Sequence, residues 1–86
     1  MLNEKIDKLR KKIDRIDNKI TDLLNLRAKI IVEIGKIKKN LNIEVYHPQR
    51  EKEILERLKK RSNILTHVSI EAIWKEIINA CRLIQT

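Results

Sequence analysis

Apolar residues recur at alternating spacings of four and three over the first forty positions, the pattern of an amphipathic helix with a heptad seam. Arg27 takes a place where the seam requires an apolar residue. Forty helical residues span about 60 Å at ~1.5 Å per residue, more than a lone chain of this size can cover. The pattern therefore predicts one long helix that packs against a second chain. The apolar seam consists of Leu2, Ile6, Leu9, Ile13, Ile16, Ile20, Leu23, Ile30, Ile34, Ile37 and Leu41.

Two shorter helices are predicted after the long one. The first helix ends at residues 40–42, and Pro48 begins the second helix after a short extended connection. The second helix ends near residues 61–63, and either Thr66 or Ser69 caps the third. The helices therefore follow the order long, short, medium. The buried face of the third helix is predicted to carry Ile70, Ile73, Trp74, Ile77, Ile78, Cys81 and Ile84.

Composition restricts the fold class and the partners. One Gly and one Pro leave few tight turns, so the 86 residues predict a single all-α domain spanning residues 1–86. The net charge of +8 suits an anionic partner, but one Trp, one Tyr and no Phe do not provide the stacking surfaces typical of nucleic-acid binders. A single cysteine indicates a reducing compartment. Without an apolar run of ~18 residues or a signal peptide, we expect a cytoplasmic protein that binds neither nucleic acid nor a membrane.

The cation on the seam predicts a binding site. Burying an unpaired guanidinium costs several kcal/mol, so Arg27 requires a carboxylate from the protein, such as Glu51 or Glu53, or from a ligand. Lys38 lies within about 20° of Arg27 around the helix and about 16 Å along it, so a ligand between them is within reach of both. Arg10 lies about 25 Å away in the other direction. An antiparallel partner helix that crosses near residue 18 or 19 would bring its Arg10 to this site.

Other polar residues are expected near the same place. Arg50 and Glu51 lie on the first turn of the second helix, where the chain returns over the upper part of the first helix. Gln85 lies one turn beyond Cys81, at the inner edge of the apolar face of the third helix. The chain carries no Ser-His-Asp set, no metal-ligand spacing and no Gly-rich phosphate loop. We therefore expect no metal and no cofactor.

The chain resembles the all-helical class of chorismate mutases over nearly its whole length. The motifs that carry the resemblance occur in the family's order and at its spacings. They are residues 9–17 (LRKKIDRID), 23–27 (LLNLR), 32–38 (VEIGKIK), 48–51 (PQRE) and 77–81 (IINAC), together with Gln85.

The resemblance implies an intertwined homodimer with two shared active sites, which turn chorismate into prephenate in aromatic amino acid biosynthesis. By position in the family pattern, Arg27 and Arg10 of the partner chain would bind the two carboxylates of the substrate. Lys38 would donate to the ether oxygen and to a nearby carboxylate or hydroxyl, and Gln85 would be the second donor to the ether oxygen.

The same resemblance assigns four further contacts. Glu51 would hold the ring hydroxyl, which makes it a catalytic candidate beside Arg27, Lys38 and Gln85, and Arg50 would support the pocket. Cys81 stands where the family often has Ser, and a thiol is a weaker donor than a hydroxyl. His47 stands where the family often has an acid, which puts that substrate contact in doubt.

The reaction that the resemblance implies suits this set of residues. It is a unimolecular rearrangement of a dianion that needs no nucleophile, metal or redox cofactor, only selection of the compact conformer and stabilisation of charge on the ether oxygen. Isochorismate-pyruvate lyase, which resembles the same scaffold, is the enzyme alternative, although Glu51 and the short connection favour the mutase. A non-catalytic basic coiled-coil module is the other alternative. The sequence leaves open whether the chain is a free-standing enzyme or a domain of a fusion protein.

Overall fold

The computed structural model describes residues 2–85, apart from the side chain of Leu2, and all regular structure in that range is helical. The helices are α1 (Leu2–Asn40), α2 (Pro48–Arg61) and α3 (His67–Leu83). Their order and lengths confirm the predicted all-α arrangement. Met1 and Thr86, the ends of the predicted domain, lie outside the described residues.

Helix α1 spans the whole long dimension of the molecule. It contains 39 residues, and the molecule measures 61 × 24 × 16 Å. Only its C-terminal half packs against α3, and residues 3–23 are exposed in the single chain. Every apolar seam residue from Ile6 to Leu41 is at least 40% exposed. One chain therefore leaves the apolar seam uncovered along its length.

A left-handed residue ends α1 and turns the chain towards α2. Asn42 has a φ of 56°, a conformation that Asn tolerates better than most residues. The backbone N–H of Ile43 donates to the carbonyl of Lys38 at 2.8 Å, and that of Asn42 to the carbonyl of Lys39 at 3.3 Å. This Schellman arrangement satisfies the last carbonyls of the helix. It places the connection 41–47 beside the upper end of α1.

Helices α2 and α3 pack antiparallel around a small core. Thr66, one of the two predicted caps, accepts a hydrogen bond from the backbone N–H of Ser69 and so begins α3. Ion pairs join the helices at both ends, between Glu51 and Arg82 and between Lys59 and Glu71. The buried side chains of the core are Ile54, Ile70, Ile78 and Cys81.

Two residues predicted on the buried face of α3 are exposed instead. Ile73 is 46% and Ile84 is 48% exposed in the single chain, because the neighbouring helices cover these side chains only in part. The helical spacing identified the apolar face correctly, but it does not say which part of that face a neighbour covers. Across residues 2–85, each helix is too short or too polar to cross a lipid bilayer.

Candidate active site

One pocket gathers seven of the eight predicted site residues. It has a volume of about 270 Å³ and lies where the C-terminal half of α1, the connection 41–47, the first turns of α2 and the last turns of α3 meet. Its aliphatic walls come from the apolar faces of all three helices, and its polar lining carries four cations and one carboxylate. These polar lining residues are Arg27, Lys38, His47, Arg50, Glu51, Cys81, Arg82 and Gln85.

Arg27 enters this pocket with part of its guanidinium unsatisfied. Its Nη1 atom is buried and has no hydrogen-bond partner among the described residues. The guanidinium lies over the ring of Trp74, 5.7 Å from the ring centroid, which is a cation–π contact. Neither protein carboxylate considered from the sequence pairs with it, because Glu51 pairs with Arg82 and Glu53 with Arg50. Arg27 is therefore available to an anion from outside this chain.

Lys38 and Gln85 are both held in place by backbone carbonyls. Lys38 Nζ donates to the carbonyl of Val45 at 3.2 Å, and Gln85 Nε2 donates to the carbonyl of Ile31 at 3.2 Å. An ammonium group has three N–H donors and an amide has two. Each side chain therefore keeps at least one donor for a ligand while a carbonyl fixes its position. This contact joins the side chain of Gln85 to α1.

Glu51 forms an ion pair that the sequence pattern did not predict. Its Oε1 atom accepts a hydrogen bond from Nη2 of Arg82, and the Arg82 guanidinium lies 4.8 Å from the centroid of the Tyr46 ring. The signal for Arg82 is visible in the sequence, since it stands four residues after the buried Ile78 on the same face of α3. It is a cation on a buried helix face, as Arg27 is on α1.

Three further predicted residues complete the lining of the pocket. Arg50 makes an exposed ion pair with Glu53 at 3.6 Å. His47 precedes α2 as its N-cap but makes no side-chain capping hydrogen bond. Cys81 is 7% exposed, a free thiol on the inner side of α3.

Arg10 is the predicted site residue that this pocket does not contain. Its side chain is 74% exposed and lies 3.9 Å from the carboxylate of Asp7. It is about 25 Å from Arg27 along α1 and offset from it by about 100° around the helix. A single chain therefore cannot direct both guanidinium groups into one pocket, and a contribution from Arg10 requires a second copy.

The lining favours a small, multiply charged anion. Four cations against one carboxylate give a positive field, and a pocket with low-dielectric walls strengthens it. The arrangement provides a buried guanidinium, two oriented N–H donors and one carboxylate that can accept a hydrogen bond from a hydroxyl group.

Comparison with known proteins identifies the family. A model of type II chorismate mutase matches residues 9–86. The bifunctional chorismate mutase/prephenate dehydratase of Aquifex aeolicus is 40% identical over 83 residues, which is 91% of this chain and 23% of that protein. The chorismate mutase of Methanocaldococcus jannaschii is 44% identical over 57 residues, which is 66% of this chain and 58% of that protein. The chain thus spans less than two thirds of either relative.

Solved structures agree with this result. A chorismate mutase from Thermus thermophilus (form II) superimposes with a TM-score of 0.92 at 32% identity, covering 94% of this chain and 93% of that one. The chorismate mutase of Helicobacter pylori, solved in complex with prephenate, gives a TM-score of 0.86 at 34% identity and covers 93% and 88% of the two chains. With the family match over residues 9–86, these findings confirm the predicted resemblance. The chain belongs to the type II chorismate mutase family.

Proposed function

We propose that this chain is a chorismate mutase, which rearranges chorismate to prephenate in the pocket between the three helices. The observation that carries the proposal is the buried Nη1 atom of Arg27, which has no hydrogen-bond partner among the described residues and lies in a pocket with three further cations. Chorismate is a dianion, and a guanidinium binds a carboxylate through two parallel hydrogen bonds. A substrate carboxylate would therefore satisfy Arg27 and complete the site.

Catalysis is proposed to come from two donors that act on one oxygen. As the C–O bond of the substrate breaks, negative charge develops on the ether oxygen, and preorganised N–H groups lower the energy of that state. Lys38 and Gln85 are suited to this role because a backbone carbonyl already orients each of them. The walls of the pocket would hold the compact conformer, in which the two reacting carbon atoms are close together.

Glu51 is proposed to accept a hydrogen bond from the ring hydroxyl, with Arg50 supporting the mouth of the pocket. This contact favours the mutase over isochorismate-pyruvate lyase. Cys81 lines the same wall as a weak donor, and its small buried side chain leaves room for the substrate ring. His47 lies at the N-terminal edge of α2, where it is proposed to contact the substrate.

The active form is proposed to be an intertwined homodimer in which each pocket receives Arg10 from the partner chain. The support is the exposed apolar seam, which lies on a single 39-residue helix and is at least 40% exposed at every described position. Burying apolar surface contributes about 25 cal/mol per Å², so a second copy of α1 laid antiparallel would be strongly stabilised. Crossing near residue 18 or 19 would also bring Arg10 beside Arg27.

Residues 1–86 are proposed to be one chorismate mutase domain that requires no cofactor. The free thiol of Cys81 suits a reducing compartment such as the cytoplasm. The relatives include both a bifunctional protein and a chorismate mutase, so the same domain serves in either setting.

An assay of two substrates tests the proposal. The protein is expected to consume chorismate with prephenate as product and to release no pyruvate from isochorismate. Arg27→Ala should lower kcat/KM at least about a hundredfold, because loss of a buried charged partner costs roughly 3–5 kcal/mol and ~1.4 kcal/mol is a factor of ten. Lys29→Ala is the matched control, since Lys29 is an exposed cation two residues away outside the pocket.

The outcome separates the candidate functions. Pyruvate release without prephenate would establish the lyase instead. An inactive wild-type protein that binds neither substrate would leave a non-catalytic helical module. Equal losses for Arg27→Ala and Lys29→Ala would contradict the role assigned to Arg27.

A further inference from the structure

Arg82 joins three separate segments of the chain at one wall of the pocket. It lies on the last turn of α3, donates to the carboxylate of Glu51 on the first turn of α2, and covers the ring of Tyr46 in the connection 41–47. The Glu51 side chain is 23% exposed and that of Arg82 is 36% exposed. Both residues line the pocket that contains Arg27.

This pair differs from the exposed ion pairs of the same helix. The Arg50–Glu53 contact is 3.6 Å long between side chains that are 58% and 55% exposed, and such pairs contribute little. The Arg82 guanidinium is instead confined between a carboxylate and an aromatic ring, and both contacts restrict its rotation. A residue so confined can hold its carboxylate partner in one orientation.

We infer that Arg82 is a positioning residue that makes the pocket selective for a hydroxylated ring. Arg82 binds Oε1 of Glu51, and Oε2 is the second acceptor of the same carboxylate. With one oxygen fixed, the other is directed to accept a hydrogen bond from the ring hydroxyl of the substrate. The inference rests on the proposed function, because it concerns how Glu51 meets chorismate.

Selectivity follows from this geometry. A carboxylate that is free to rotate gains a hydrogen bond only after it is ordered, and this ordering opposes binding. A carboxylate already fixed by Arg82 gives the full benefit of the hydrogen bond to a substrate with a hydroxyl group. An analogue without the hydroxyl gains little from Arg82, because the carboxylate of Glu51 neutralises the Arg82 charge. Arg82 should therefore affect the ratio of the two substrates rather than activity in general.

The test compares chorismate with its analogue that lacks the ring hydroxyl. In Arg82→Met, which keeps an unbranched apolar stem but removes the charged guanidinium, kcat/KM for chorismate should fall roughly tenfold. The value for the deoxy analogue should stay within about twofold of the wild type, since the hydrogen bond at issue is missing. Arg82→Lys should restore part of the preference for chorismate over the deoxy analogue. Arg57→Met is the matched control, because Arg57 is an exposed arginine of α2 outside this pocket.

A double substitution tests whether Arg82 acts through Glu51. In Glu51→Ala, the added Arg82→Met change should leave kcat/KM for chorismate unaltered, because a residue that acts through Glu51 has no effect without it. Equal losses on both substrates, with a lower melting temperature, would mean that Arg82 only stabilises the fold, and the inference would be overturned. If the wild-type protein does not convert chorismate at all, the proposed function fails first, and the two failures are thereby distinguished.

Discussion

At the scale of single residues, the amide of Gln85 is a donor at every pH. It donates to the carbonyl of Ile31 at 3.2 Å, and its second N–H is the proposed donor to the ether oxygen. In Gln85→Glu, an ionised carboxylate would face two acceptors and donate to neither. Only the protonated acid can replace the amide, so kcat should rise as the pH falls through the pKa of the introduced carboxyl group. The measurement is the pH profile of kcat, whose optimum should lie lower than that of the wild type.

A non-titrating variant serves as the control for that profile. Gln85→Met removes the donor without adding a charge, so its activity should be low at every pH. An unchanged profile in Gln85→Glu would mean that Gln85 does not contact the ether oxygen.

The candidate site could be predicted from the sequence where a residue breaks a pattern. Arg27 interrupts an apolar seam, so the heptad spacing alone indicates its unusual environment. Arg82 also lies on an apolar helix face, but its partner Glu51 is on another helix, and only the packing of α2 on α3 brings them together. The role of Tyr46 was equally hidden, because the path of an irregular connection depends on the helices at both of its ends.

At the scale of the helices, Gly35 explains how α3 ends so close to α1. A Cβ atom at this position would lie 3.0 Å from the carbonyl oxygen of Gln85 and 3.3 Å from its Cβ atom. Ala is favoured over Gly within a helix by ~1 kcal/mol, so Gly35→Ala should leave the melting temperature unchanged or raise it slightly. It should nevertheless lower kcat roughly tenfold or more, because Gln85 moves away from the pocket. Thermal unfolding and steady-state kinetics on the same variant check both parts.

Double substitution identifies Gln85 as the cause. In a Gln85→Ala background, Gly35→Ala should reduce kcat no further. Lys36→Ala, at the exposed neighbouring position, should leave both stability and activity near the wild-type values. A large loss of stability in Gly35→Ala would contradict this explanation. It would mean that the segment carrying Gln85 cannot shift to relieve the contact with the new Cβ atom.

The periodicity of the sequence predicted the number and the order of the helices. The residue that caps α3 and the burial of its side chains depended on contacts between the helices. The sequence allowed either Thr66 or Ser69 to cap α3, and the structure has Thr66 in that role, with Ser69 as the donor. The prediction that Ile73 and Ile84 are buried was wrong for the single chain. Periodicity gives the face of a helix, but burial depends on which neighbours reach that face.

At the scale of the whole molecule, the apolar seam and the distance between Arg10 and Arg27 point to the same assembly. The seam and both arginines lie on α1, so pairing of α1 with a second copy would account for both features. An experiment with mixed chains tests this pairing. If the proposed homodimer is right, Arg10→Ala and Arg27→Ala should each be almost inactive alone, since every pocket lacks one guanidinium. A heterodimer of the two variants would contain one pocket with both arginines and one with neither. After random exchange of equal amounts, about a quarter of all pockets should be intact, and activity should recover to that level.

A second mixture provides the matched control, because Arg27 and Lys38 line the same pocket from the same chain. Mixing Arg27→Ala with Lys38→Ala leaves each pocket of the heterodimer without one of the two, so no activity should return. Recovery in the first mixture alone would require a pocket built from two chains. If neither mixture recovers although exchange is demonstrated by differently tagged chains, the shared pocket is wrong, and Arg10 has no part in the site. If both recover, Arg27 and Lys38 would have to act in different pockets, which the single-chain structure contradicts.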